Sequence, residues 1–321
     1  MGTIPTTVLG QTGLRITKLG YGSGARKRYP SDEQWGPLLN GVLDSGINFI
    51  DTANDYGIGQ TSAPAEEQIG RHLGTRRSEY YLATKCGCTP QGSHLWTREN
   101  AFRGLHESLQ RLKTDYIDLM QLHNAPADQC RSEGLVEALQ DMQRQGKVRW
   151  IGVSTTLPDL REYLEWDVFD AFQIPYSALE SEHEEWITRA AQAGTGIIVR
   201  GGVAQGESEV SGRTIEAERE HEERIQKLAW YRVARGGAAK WTKFHQAKLD
   251  DLLEPGESRT SFVLRYTLAH PHAHTNIVGT SCLEHLEENV QGILRGPLSD
   301  DVYVEAKRRL DSIGSTPESS A

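Results

Sequence analysis

Asp51, Tyr56, Lys85 and His123 place a carboxylate, a phenol, an ammonium and an imidazole at or just beyond the ends of short apolar runs. Together these groups make a proton donor suited to a carbonyl oxygen that is gaining negative charge. A free phenol titrates near pH 10 and is by itself a poor acid-base partner at neutrality. An ammonium beside it favours the phenolate, so Lys85 is expected to lower the Tyr56 pKa. Asp51 would pair with Lys85 and keep it oriented, while His123 would position the oxygen and stabilise its developing charge. Singly, each residue has a plainer reading: a packed tyrosine, a solvated lysine, a satisfied core histidine. Asn54 and Asp55, beside Tyr56, are expected to cap the following helix or close an Asx turn.

Such groups need a rigid frame, and the apolar runs are placed to supply it. Eight of them read as short strands: Lys18–Ser23, Ile47–Ala53, Tyr80–Lys85, Tyr116–His123, Val148–Ser154, Phe169–Tyr176, Gly196–Gly201 and Asn276–Ser281. Between them lie helical patterns such as WGPLLNGVLDSG, ENAFRGLHESLQRLK and HEEWITRAAQAG. Strict alternation of strand and helix requires parallel strands with helical crossovers and both sheet faces covered. Eight units predict an α/β fold, a (β/α)8 TIM barrel forming one domain over 1–321, with an N-terminal β-hairpin at Thr7–Thr17. GYGSGA from Gly20 satisfies a loose dinucleotide-binding pattern, but Arg26, Lys27, Arg28, Tyr29 and Pro30 do not continue it as a helix. It reads instead as the first barrel strand, whose glycines let the backbone approach a ligand.

One interval breaks the rhythm. A charged insertion of about 203–259 follows the seventh strand, with a helix predicted over Ile215–Val233. Its origin places it on the C-terminal rim, where loops shape the site of such barrels. Trp230, Tyr231, Trp241 and Phe244 could line substrate space there, although packing of the insertion on the barrel is the simpler reading of each. The chain closes on an amphipathic helix predicted over Asp300–Ile313.

Composition narrows the partners. Lys+Arg 35 against Asp+Glu 44 leaves a net charge of -9, which disfavours nucleic acid while permitting a local cationic pocket. There is no apolar stretch of membrane-spanning length, and the N-terminal residues lack a signal peptide's basic and apolar regions, so a cytoplasmic enzyme is expected. No obligate protein partner is indicated. Cys86, Cys88, Cys130 and Cys282 lack a zinc-ligand spacing and read as free thiols. His270, His272 and His274 in AHPHAHT have no further ligand beside them and read as loop or surface residues; no metal site is expected.

NFIDTANDYG around Asp51 and Tyr56, LATK ending at Lys85, LMQLH ending at His123, WIGVS, FQIPYS and NIVGTSCLEHLEENV run in order over nearly the whole chain. In these motifs the chain resembles the aldo-keto reductase family. That resemblance implies a nicotinamide-dependent (β/α)8 oxidoreductase interconverting a small-molecule carbonyl and its alcohol, with NADPH/NADP+ favoured and NADH/NAD+ as the second option. Tyr56 would protonate the nascent alkoxide, Lys85 and Asp51 would tune it, and His123 would guide the carbonyl. Ser154 and Gln173 match positions that hold the nicotinamide carboxamide, and Thr155 stands where asparagine is common. Gly22, Ser23 and Asp51 would also border the cofactor.

Arg200 occupies a position that is aromatic in many relatives; its guanidinium could stack on the ring or attract a pyrophosphate. Gly201 and Gly202 would let that pyrophosphate approach, with Val203, Gln205 and Gly206 opening a covering loop. Thr280 or Ser281 would meet the ribose phosphate, and Glu288 and Asn289 the adenine. His285 replaces a common arginine and Gly279 a common lysine, which weakens exclusive use of the phosphorylated cofactor. A second reading of the same resemblance is a cofactor-binding regulatory or assembly subunit with weak reductase activity, though the chain shows no recruiting tail or coiled coil. An acidic barrel hydrolase would leave Tyr56 and Lys85 unexplained.

Overall fold

Near-continuous apolar runs of three to seven residues are buried on both faces in parallel sheets, and here they become the staves of a barrel. The structure, a computed structural model, describes residues 2–24, 29–61, 63–89, 93–204 and 237–313. A two-stranded antiparallel ribbon comes first, β1 (Thr6–Val8) with β2 (Arg15–Thr17). Eight parallel strands follow: β3 (Leu19–Gly22), β4 (Phe49–Asp51), β5 (Tyr81–Cys86), β6 (Ile117–His123), β7 (Val148–Ser154), β8 (Ala171–Pro175), β9 (Gly196–Arg200) and β10 (Thr275–Val278). They pair in chain order and close where Asn276 of β10 stands beside Leu19 of β3. All eight fall inside or within one residue of the runs read from the sequence. The last stops three residues before its predicted end, leaving Gly279, Thr280 and Ser281 as an open strand end.

Helices wrap the outside. Arg98–Leu112 shows how the sequence specifies one: Thr97 accepts a hydrogen bond from the Asn100 N–H as N-cap, and Ala101, Leu105, Ser108 and Leu112 turn one face inward. Lys113, in the left-handed region, ends it. Inside the barrel, Phe49, Ala83, Leu119, Ala171, Ile198 and Ile277 pack against Leu9, Leu14 and Ile16 of the ribbon. The ribbon therefore stoppers the end where the strands begin. Gly10 makes this docking close: its φ is +51°, and a Cβ would stand 2.3 Å from the Gly196 nitrogen. The opposite mouth, at the strand C-terminal ends, is left for chemistry.

The simpler reading of two insertion aromatics holds, and the histidine-rich loop is more buried than expected. Of the insertion at about 203–259, positions 205–236 lie outside the described residues, and with them Gln205, Gly206, Trp230, Tyr231 and the helix expected at Ile215–Val233. Trp241 and Phe244 are buried, and Phe244 meets the edge of Phe262 at 5.9 Å, so both pack in the core and do not line substrate space. The AHPHAHT histidines are not simply surface: His270 is buried and its Nδ1 accepts from the His272 N–H, while His274 Nδ1 accepts from the Ile197 N–H at 3.0 Å. The four cysteines are free. Among the described residues no helix is long and apolar enough to cross a membrane.

Candidate active site

Asp51 ends β4, Lys85 stands one residue from the end of β5, and His123 ends β6. These are adjacent staves, so the register alone gathers three of the four groups at one mouth. Lys85 is fully buried; its Nζ donates to Asp51 Oδ2 at 2.5 Å and to the Thr52 carbonyl at 2.9 Å. Asp51 Oδ1 accepts from Gln121 Nε2 at 3.0 Å and from Gln173 Nε2 at 2.8 Å. A buried ion pair is tolerable when its remaining hydrogen-bonding capacity is met this way.

Tyr56 comes from the loop after β4, its ring centroid 4.9 Å from Lys85 Nζ. Gly24 lies against the ring: a Cβ there would approach the ring to 2.7 Å, so only glycine leaves Tyr56 its place. Burial raises the Tyr56 phenol above its ordinary value and outweighs the lowering influence of Lys85. The expected net lowering is thus corrected, because withdrawal from water penalises the phenolate more than one ammonium favours it. Burial alone would pull Lys85 down, but Asp51 and Tyr56 together raise it above the ordinary lysine value.

His123 is held by its backbone carbonyl, which accepts from Trp96 Nε1 at 3.1 Å, and its ring meets Tyr56 edge-on at 5.8 Å. His123 Nδ1 lies 3.4 Å from Asp55 Oδ1 and 3.4 Å from Cys88 Sγ. Burial alone would raise the Asp55 carboxyl, yet His123, Cys88 and Lys85 bring it below its usual range. Asp55 and Asn54 do not cap the next helix, whose N-cap is Pro64; Asn54 instead donates to the Cys88 carbonyl at 2.9 Å. His94 stacks on Trp96 with centroids 4.7 Å apart.

Apart from Gln205 and Gly206, the expected cofactor residues lie around the same rim and the turn after β10. Gly22, Ser23, Ser154, Thr155 and Gln173 stand at the ends of β3, β7 and β8, with Ser23 donating to Thr52 Oγ1 at 2.8 Å and Gln173 engaged by Asp51. Arg200, Gly201, Gly202 and Val203 leave the end of β9. Around the turn after β10, Thr280 donates to the Cys282 carbonyl, and the following helix, Leu283–Leu294, has no side-chain cap on its N-terminus. His285 is exposed, Asn289 is buried, and Glu288 accepts from Ser258 at 2.6 Å. Sequence reasoning missed Gly24, Thr52, Cys88, His94 and Gln121. Gln121 carried a signal, since two residues before His123 on a strand means the same face.

A family model described as the aldo/keto reductase family matches residues 18–310. The holo form of aldo-keto reductase AKR11C1 from Bacillus halodurans superposes with a TM-score of 0.75 at 27% identity, covering 95% of this chain and 96% of that one. The uncharacterized oxidoreductase YqkF of Bacillus subtilis is 28% identical over 292 residues, 88% of this chain and 89% of its own. L-galactose dehydrogenase of Arabidopsis thaliana is 26% identical over 314 residues, 91% of this chain and 89% of its own.

Proposed function

The chain belongs to the aldo/keto reductase family and is an NAD(P)H-dependent oxidoreductase of carbonyl or alcohol groups; from that premise we propose that it reversibly reduces an aldehyde or ketone, with NADPH the leading donor and NADH also accepted. The observation that carries this reading is the fully buried Lys85–Asp51 pair at 2.5 Å, set behind the Tyr56 phenol.

The residues present fit a nicotinamide dinucleotide. The helix after β10 offers an uncapped N-terminus beside the Thr280 and Ser281 hydroxyls, a natural place for a phosphate. Arg200 supplies a cation at the end of β9, and Ser154, Thr155 and Gln173 supply hydroxyl and amide groups nearer Tyr56. Bound there, the dinucleotide would supply the hydride. His285 and Gly279 stand where relatives commonly carry an arginine and a lysine, and the loss of those two fixed charges is why NADH is included.

The protein's own part is proton chemistry. Tyr56 donates its phenolic proton to the substrate oxygen as charge develops, and takes it back in the reverse direction. Lys85 stabilises the phenolate that donation leaves, and Asp51, held by Gln121 and Gln173, keeps Lys85 charged and aimed. His123 orients the carbonyl oxygen. Half-buried Trp96 forms part of the substrate wall.

Tyr56→Phe should retain NADPH binding, read by quenching of intrinsic fluorescence, and lose about a hundredfold to ten-thousandfold in carbonyl reduction across an aldehyde and ketone panel. Undiminished turnover would remove Tyr56 from the proton-donor role. Titration with each dinucleotide separates NADPH preference from dual use.

A further inference from the structure

We propose that Asp55, Cys88 and His123 form a binding site for a divalent cation of the zinc class, and that its occupancy shuts off the carbonyl chemistry. The three side chains leave three successive strand ends and present a carboxylate oxygen, a sulfur and an imidazole nitrogen within 4.8 Å of one another. Cys88 Sγ and His123 Nδ1 are 3.4 Å apart, as are His123 Nδ1 and Asp55 Oδ1. Two atoms each bound to one zinc at about 2.0–2.3 Å stand about 3.3–3.6 Å apart at the tetrahedral angle. Two of the three spacings are thus those of ligands as the side chains stand, and the third, Asp55 with Cys88, lies within the 4.8 Å that a small rotation of either side chain can close.

For the His123–Asp55 pair it is a poor spacing for a plain hydrogen bond, although the Cys88–His123 distance suits one to sulfur. A nitrogen–oxygen hydrogen bond runs at about 2.7–3.2 Å, so the buried Asp55 Oδ1 has only a long 3.4 Å contact with His123 Nδ1 and makes no well-formed hydrogen bond. A buried carboxylate oxygen left this way is costly unless something else satisfies it. A cation between the three groups does so.

The donor set selects the metal. One thiolate, one imidazole and one carboxylate suit zinc or cobalt, whereas calcium and magnesium require a shell of oxygens. Binding converts the Cys88 thiol to thiolate and releases its proton to solvent. The two negative ligands then balance the divalent charge. His94 Nδ1, 3.4 Å from the same sulfur, supplies a further donor. Since His123 also faces Tyr56, a metal that ties its imidazole to Asp55 and Cys88 keeps the ring from turning to orient the substrate oxygen.

The test uses the full chain with its thiols kept reduced by a phosphine. Cobalt(II) titration should produce thiolate-to-cobalt charge-transfer absorption in the near ultraviolet, saturating at one equivalent and bleached by zinc. Cys88→Ser should abolish the band, and Cys282→Ser should leave it intact. A missing band, or one that follows Cys282, overturns the site. Asp55→Asn keeps every cysteine and guards against misfolding of the serine variant. It should weaken cobalt binding by at least about 10–100-fold, the loss that even a ligand's hydrogen-bonding neighbour causes, and unchanged affinity overturns the site. Absorption reads binding alone, so it stands whether or not the reductase reading holds. In the wild type, carbonyl reduction should fall in step with zinc occupancy and return with a chelator; full activity of the zinc-saturated protein overturns the shut-off.

Discussion

The Tyr56 phenol sits where two electrostatic influences oppose each other, and their balance decides how it titrates. Burial favours the neutral phenol, Lys85 favours the phenolate, and burial is the larger effect. With its pKa raised, Tyr56 keeps its proton throughout the neutral range and past the ordinary phenol value of about 10. Proton donation is therefore available throughout the neutral range, and the phenolate needed for alcohol oxidation gains population only as pH rises beyond it. In the free protein, the tyrosinate absorbance difference between wild type and Tyr56→Phe should stay flat below about pH 10 and rise only above it. A rise near neutrality would show that Lys85 prevails. The four polar residues were legible from their types and places at strand ends. The direction of the Tyr56 shift was not, because depth of burial is a property of the packed fold. That Gln121 and Gln173 both donate to Asp51 Oδ1 was likewise hidden until β6 and β8 faced one centre.

Strands were the legible elements, since parallel staves buried on both faces must be short and apolar, and punctuation by Gly, Pro and Asn marks their limits. Loops were harder. Asn54 and Asp55 had the composition of a helix cap, yet the loop after β4 carries them to Cys88 and His123, and a proline starts the helix. The N-terminal ribbon offers a test at this scale. Gly10→Ala would put a Cβ 2.3 Å from the Gly196 backbone at a φ of +51°. Overpacking of this kind costs about 1–3 kcal/mol, so thermal unfolding should move to lower temperature. Turnover per folded molecule should be retained, because the ribbon lies at the end of the barrel away from Tyr56. A loss of kcat as large as that of Tyr56→Phe would contradict the division of the barrel into a structural end and a reactive one.

Across the whole molecule, two histidines tie stability to acidity. Burial first, with nearby His272 adding, lowers His270 and His274 to about 4, while both titrate at about 6.5 in the unfolded chain. The unfolded state therefore binds more protons between those values. The stability is fully present above about pH 6.5 and is lost as pH falls toward 4. Urea midpoints should drop across that window, and His270→Gln, though weaker at pH 7, should drop less. An unchanged slope in the variant would take His270 out of the acid response. The eightfold alternation made the architecture readable, whereas no local pattern announced which distant residues the ring would join. That ring also has a cost during synthesis. Leu19 of β3 finds its final neighbour only at Asn276 of β10, so at about 5–20 residues per second a nascent chain holds one naked strand edge on the ribosome for on the order of tens of seconds. For that interval the first stave is open to the wrong partner, and chaperones that shield emerging polypeptides would act there.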